Sequence, residues 1–210
     1  MRTTLLLAGV AVLASAWFGP LPDLARQSFA AHMSMHMAVV AVAAPVLALA
    51  LSGSTADPAR AMPRLFAPLP ASIFELVVVW AWHAPALHHA ARQQTWALIL
   101  EQTSFLAAGL LLWIAACGGD RAQRRFRRGP GVVALLFTSM HMTLLGALFA
   151  MANRPLFIHG ADAPTAASLL SDQHLGGAIM LLVGGGAYLV GGLYLTAGLL
   201  RAPIVREASS

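Results

Sequence analysis

The chain has 210 residues, of which 59% are hydrophobic and only 10% are Asp, Glu, Lys or Arg, where a soluble domain carries about 25% charge. That balance excludes a water-soluble core and identifies an integral membrane protein. The formal charge of +5 comes from arginine alone, spread through short loops beside apolar segments, which argues against a nucleic-acid partner.

Six apolar segments, at roughly 3–21, 33–52, 72–91, 96–117, 131–151 and 175–200, each approach the 20 residues that cross about 30 Å of hydrocarbon at 1.5 Å per residue. They predict an all-α fold, a polytopic membrane helix bundle of about six transmembrane helices in one domain, 1–210. The loop between the fourth and fifth segments holds Arg121, Arg124, Arg125, Arg127 and Arg128, and the positive-inside rule assigns it to the cytoplasm. Alternation then puts Arg2, Arg60, Arg64, Arg201 and Arg206 on that side too, leaving Arg26, Arg92 and Arg154 outside. Both termini are predicted cytoplasmic.

The first segment, with Arg2 and Ala14-Ser15-Ala16, has the outline of a signal peptide; residues 1–16 are expected to be retained as a span. The second opens with His32-Met33-Ser34-Met35-His36-Met37. His32 and His36, four apart, share a helical face, with Met33 and Met37 beside them. Pro45 is expected to kink this helix and free a backbone carbonyl. The third segment carries Glu75 toward its inner end, then Trp80, Trp82, His83 and Pro85, with His88 and His89 at the outer boundary. The fourth places Glu101-Gln102 about a turn below the outer surface, where an acid should face the bundle interior. Lone Cys117 lies near its inner end and can form no internal disulfide.

The fifth segment carries Met140-His141-Met142 near mid-depth; neighbours 100° apart cannot all face one ion, but His141 with one methionine can. The following outer loop holds His159, Asp162, Asp172 and His174, with Ser171 or Asp172 placed to cap the last helix. In that helix Gly177, Gly184, Gly191 and Gly198 recur every seven residues, a stripe that lets another helix approach, within the chain or from a second copy.

All eight histidines thus fall in the outer half or just outside it. Imidazole and thioether together suit a soft ion such as Cu(I). His36, His83 and His141 are the expected core ligands, joined by His32, Met37, Met140 and Met33. Glu101 is an expected partner orienting a ligand, and Asp172 and His174 are expected to help recruit the ion. His88, His89 and His159 are expected at the interface. No nucleophile–base arrangement, phosphate loop or CxxC pair occurs, so no catalytic activity is expected.

In this order, the runs His32 to Met37 with Ala44-Pro45, Trp82-His83-Ala84-Pro85, Ser139 to Gly146 and Asp172 to Met180 resemble motifs of the CtaG-type cytochrome c oxidase assembly proteins. The resemblance covers roughly residues 30–200. It implies a multi-pass protein of the bacterial inner membrane that helps copper reach a haem–copper oxidase, with oxidase subunits and a periplasmic copper chaperone as partners. Where relatives carry Glu-His this chain has Glu101-Gln102; it also departs near Trp96 and at Leu181. Ligands are therefore expected from the second, third and fifth spans rather than the fourth. Three alternatives stand beside this: bis-histidine haem handling, a copper permease of the CopD type, and a metal-free scaffold.

Overall fold

A computed structural model describes residues 1–157 and 165–201. Among these, all regular structure is helical. The helices are α1 (Arg2–Phe18), α2 (Leu21–Gln27), α3 (Phe29–Leu51), α4 (Pro58–Ala61), α5 (Pro68–Trp82), α6 (Pro85–Gln93), α7 (Thr95–Cys117), α8 (Arg121–Ala150) and α9 (Ala166–Leu200). Four of them, α3, α7, α8 and α9, are long and apolar enough to cross a membrane. The pairs α1–α2 and α5–α6 would each add a span, but are bent by 47° and 72°. The chain is a multi-pass helical membrane protein with four to six crossings.

The third expected span is the one that changes most. Pro85 has no N–H to continue the ladder. Helix α5 therefore ends at Trp82 after 15 residues, about 22 Å, and the chain restarts as α6 at 72° to it. At the other extreme, α8 begins ten residues before the expected start. Asp120 caps it reciprocally with Gln123, so the arginine-rich loop becomes its first turns, and Pro130 is carried inside the helix.

Both interrupted long helices contain a π turn, Ala38–Ala43 in α3 and Met180–Gly185 in α9. Helices α8 and α9 pack through glycine. A Cβ on Gly146 would stand 2.7 Å from the Leu181 backbone nitrogen, and one on Gly177 would stand 2.4 Å from that of Ala150. The seven-residue stripe serves the same purpose inside the bundle: Gly184 faces Met37 and Met142, and Gly191 faces Trp113. Gly177, Gly184 and Gly191 thus open surfaces that this chain's own helices fill.

Arg2, Arg127 and Arg128 gather at one end. Arg2 donates to the Gly53 carbonyl (3.2 Å), Arg127 to that of Pro63 (2.8 Å) and Arg128 to that of Gly198 (3.0 Å). Asp57 knots two loops there, accepting from the amides of Ala59 (3.0 Å), Gly53 (2.7 Å) and Gly119 (2.7 Å). Gly53 and Gly119 have φ of +68° and +97°, which only glycine adopts freely. Arg2 and Arg201, near the two ends of the described chain, lie at this same end.

Candidate metal centre

At the opposite end, the N-terminus of α3 is held by two side chains. Ser28 caps it, accepting from the Ala31 amide (3.1 Å). Asp172, from α9, accepts from the Ser28 hydroxyl (2.7 Å) and the amides of Phe29 (2.6 Å) and Ala30 (3.2 Å). Orphan amides of a helix start are thereby satisfied by a carboxylate the helix dipole favours. Asp172 was expected to cap its own helix or recruit an ion; it caps α3 instead.

One turn along, His32 and His36 project from the same face of α3 toward Glu101 on α7. Glu101 Oε1 lies 3.3 Å from His32 Nε2 and 3.6 Å from His36 Nε2. The three side chains are buried, and one ligand atom from each lies within 4.8 Å of the others. The other carboxylate oxygen is fixed from behind: Trp17 Nε1 donates to Gln102 Oε1 (3.4 Å), and Gln102 Nε2 donates to Glu101 Oε2 (3.2 Å). The residue standing where relatives carry histidine thus orients the acid. Glu101 therefore stands between the two histidines, on the span from which no ligand was expected.

His83, the residue that caps the end of α5 two positions before Pro85, joins from that side. Its ring centroid lies 5.3 Å from that of His36. Its Nδ1 donates to the Val79 carbonyl at 2.6 Å; a carbonyl can only accept, so the proton is on Nδ1 and Nε2 presents a lone pair. Among the described residues that nitrogen has no hydrogen-bond partner, nor do His32 Nε2, either nitrogen of His36, or Glu101 Oε1. Buried polar atoms are ordinarily bonded. Here several converge unbonded, which is what a cation-binding donor set requires.

His88 completes the cluster on its outer side. The 72° turn after Trp82 lays α6 over the site and brings the His88 ring to 4.8 Å from His32 and 4.1 Å from Phe157. Sequence reasoning assigned His88 to the interface. Pro85 signals the break but not its direction, so the placement was not legible. His89 is exposed, as expected of an interfacial residue, and His159 lies outside the described residues. Phe105 packs on His36 at 4.0 Å and Phe149 on His83 at 5.6 Å, closing the site to water. Arg92 of α6, also buried, interacts electrostatically with both Asp172 and Glu101.

Several expected ligands lie elsewhere. His141 is buried, but among the described residues its ring contact is with Phe137 of its own helix at 5.7 Å. The α8 residue that reaches His83 is Phe149, eight positions on and about 12 Å further out. His141 is simply too deep. Met33 and Met37 are buried, but one residue from each histidine is 100° of rotation, so they face α9: a Cβ on Gly176 would lie 3.1 Å from Met33 Cγ, and one on Gly184 2.9 Å from Met37 Sδ. Met140 is 60% exposed on the outside of the bundle, and the buried methionine of that trio is Met142. His174 Nε2 pairs with the Ala152 carbonyl at 2.8 Å and pins the start of the outer loop.

The model of the cytochrome c oxidase caa3 assembly factor family (Caa3_CtaG) matches residues 1–202. The chain belongs to that family. No curated protein and no solved structure matches it. Membership in the caa3 assembly factor family makes association with cytochrome c oxidase part of the protein's role. The cluster, at the end away from Arg2, Arg127 and Arg128, draws its side chains from α3, α6 and α7 and from the residue that caps α5.

Proposed function

We propose that this oxidase assembly factor holds copper as cargo between His32, His36, His83 and Glu101, on the outward face of the bacterial inner membrane, and releases it to an oxidase subunit. The observation that carries this reading is the convergence of His32 Nε2, His36 Nε2 and Glu101 Oε1, all buried, none hydrogen-bonded. Imidazole nitrogens suit copper as they suit zinc, iron and nickel, and the family's role in assembling cytochrome c oxidase favours copper among these. A single carboxylate with neutral imidazoles also balances the one charge of Cu(I), so the loaded site adds no net charge to a low-dielectric interior. The side follows from the arginines: the end bearing Arg2, Arg127 and Arg128 is cytoplasmic by the positive-inside rule, which turns the cluster outward.

Haem handling fits less well. His32 and His36 pack edge to face at 4.5 Å with Phe105 against His36 at 4.0 Å, which leaves no space for a porphyrin between the rings. A periplasmic chaperone as the copper donor remains the partner this reading calls for.

Metal analysis of detergent-purified protein tests the proposal. One copper per chain is expected, lost in His36→Ala and in Glu101→Gln and retained in His141→Ala. Equal copper in all four proteins rejects it, and a Soret band on purification would favour haem. Copper uptake into sealed vesicles would move the reading to a permease.

A further inference from the structure

A second buried polar group lies deeper in the bundle and belongs to no part of the copper reading. Glu75 of α5 is fully buried. Its Oε1 is hydrogen-bonded to the hydroxyl of Tyr188, from α9, and the same hydroxyl lies 3.2 Å from the Val40 carbonyl of α3. Thr138 of α8 stands near the carboxyl, whose Oε2 has no hydrogen-bond partner among the described residues. Tyr188 stacks on Trp113 of α7 at 5.4 Å.

The backbone explains why the Val40 carbonyl is available. In the π turn of α3 the Ala44 amide bonds to the Val39 carbonyl, five residues back. The next pair in that register is Pro45 to Val40, and proline has no N–H. The Val40 carbonyl is therefore left for Tyr188. A tyrosine hydroxyl carries one proton and can donate only once. If it donates to Val40, the bond to Glu75 Oε1 needs a proton from the acid. If Glu75 were ionised, the Val40 carbonyl would lose its donor and a bare carboxylate would sit in the bundle core. Among the described residues no cation pairs with it: the only ion pairs there join Glu101 to His32 and His36. Tyr188 is the one titratable group facing Glu75; Thr138, Trp113 and Val40 complete its surroundings.

We propose that Glu75 is an intramembrane proton-binding site: its carboxyl carries a proton and donates it to Tyr188, which donates in turn to the Val40 carbonyl. The ligand of this site is a proton, and the bound proton ties α5 to α9 and α9 to α3. It lies on the same helices as the metal cluster: Glu75 and His83 are eight residues apart on α5, Val40 and His36 four apart on α3. Losing the proton would strand a charge where an ionised group is costly and would unfasten those helices beneath the histidines.

Infrared difference spectroscopy on full-length protein stripped of metal tests this, so its result is independent of the copper reading. At neutral pH a protonated-carboxyl C=O band is expected, shifted downward in D2O and by 13C-glutamate labelling of the unmutated chain. It should be absent from Glu75→Gln, whose amide preserves the shape and can still donate to Tyr188. In Tyr188→Phe the band should persist but move upward, because the acid has lost its acceptor. A band insensitive to glutamate labelling, or identical spectra for wild type and Glu75→Gln, would overturn the proposal.

Discussion

Asp57 and Glu101 are both buried carboxylates, at opposite ends of one bundle, and they are treated in opposite ways. Asp57 accepts from three backbone amides, with both oxygens engaged. Glu101 has one oxygen held by Gln102, while the other faces two imidazole nitrogens with no hydrogen bond between them. The first arrangement is complete as it stands and serves the fold. The second is costly unless something fills it. Satisfaction of the buried carboxylate, rather than its burial, is what distinguishes Asp57 from Glu101.

That contrast can be broken or sharpened by substitution. The largest effect on metal is expected at Glu101: Glu101→Gln should lower copper binding at least a hundredfold by equilibrium dialysis while the helical circular dichroism stays intact. Asp57→Ala should do the reverse. It leaves three amides without their acceptor, at about 1–3 kcal/mol for each buried group left unbonded, so the thermal midpoint should fall sharply while the folded fraction keeps its copper stoichiometry. A metal deficit in Asp57→Ala equal to that in Glu101→Gln would erase the distinction. Next comes Gln102→Ala, which releases Glu101 Oε2. An orienting partner of a ligand is typically worth about 10–100-fold in affinity, so weaker binding without loss of stoichiometry is expected. Gly177→Ala pushes α8 from α9 and should cost about 1–3 kcal/mol, read as a lower unfolding midpoint with copper affinity little changed. Met140→Ala, on the lipid-facing side, should alter neither.

The helical class and the presence of four long apolar helices were legible from hydropathy, and so was the charge asymmetry that separates the two ends; the bends that split the first and third expected spans and the early starts of α8 and α9 were not. Depth along a helix was also partly legible: His32, His36 and His83 do meet. Rotation about the axis was not. A step of one residue turned Met33 and Met37 away from the histidines, and turned Met140 outward in place of Met142. Vertical register between helices was equally hidden, so Phe149 occupies the level at which His141 was expected. The direction of the chain after Pro85 decided that His88 belongs to the cluster, and a proline announces a break without giving its angle. Glu101 was legible as an interior acid. Its position between His32 and His36 depended on α7 lying against α3, a contact no local pattern encodes.

The cap on α3 carries a consequence for how the molecule is made. The helix that presents His32 and His36 is finished at its start by Asp172, more than 140 residues later in the chain, and its mid-point carbonyl waits for Tyr188, later still. Synthesis therefore reaches the residues that steady those imidazoles only as the final span emerges. A nascent chain stopped short of that span would hold His32, His36, His83 and Glu101 yet lack the framework that fixes their aim.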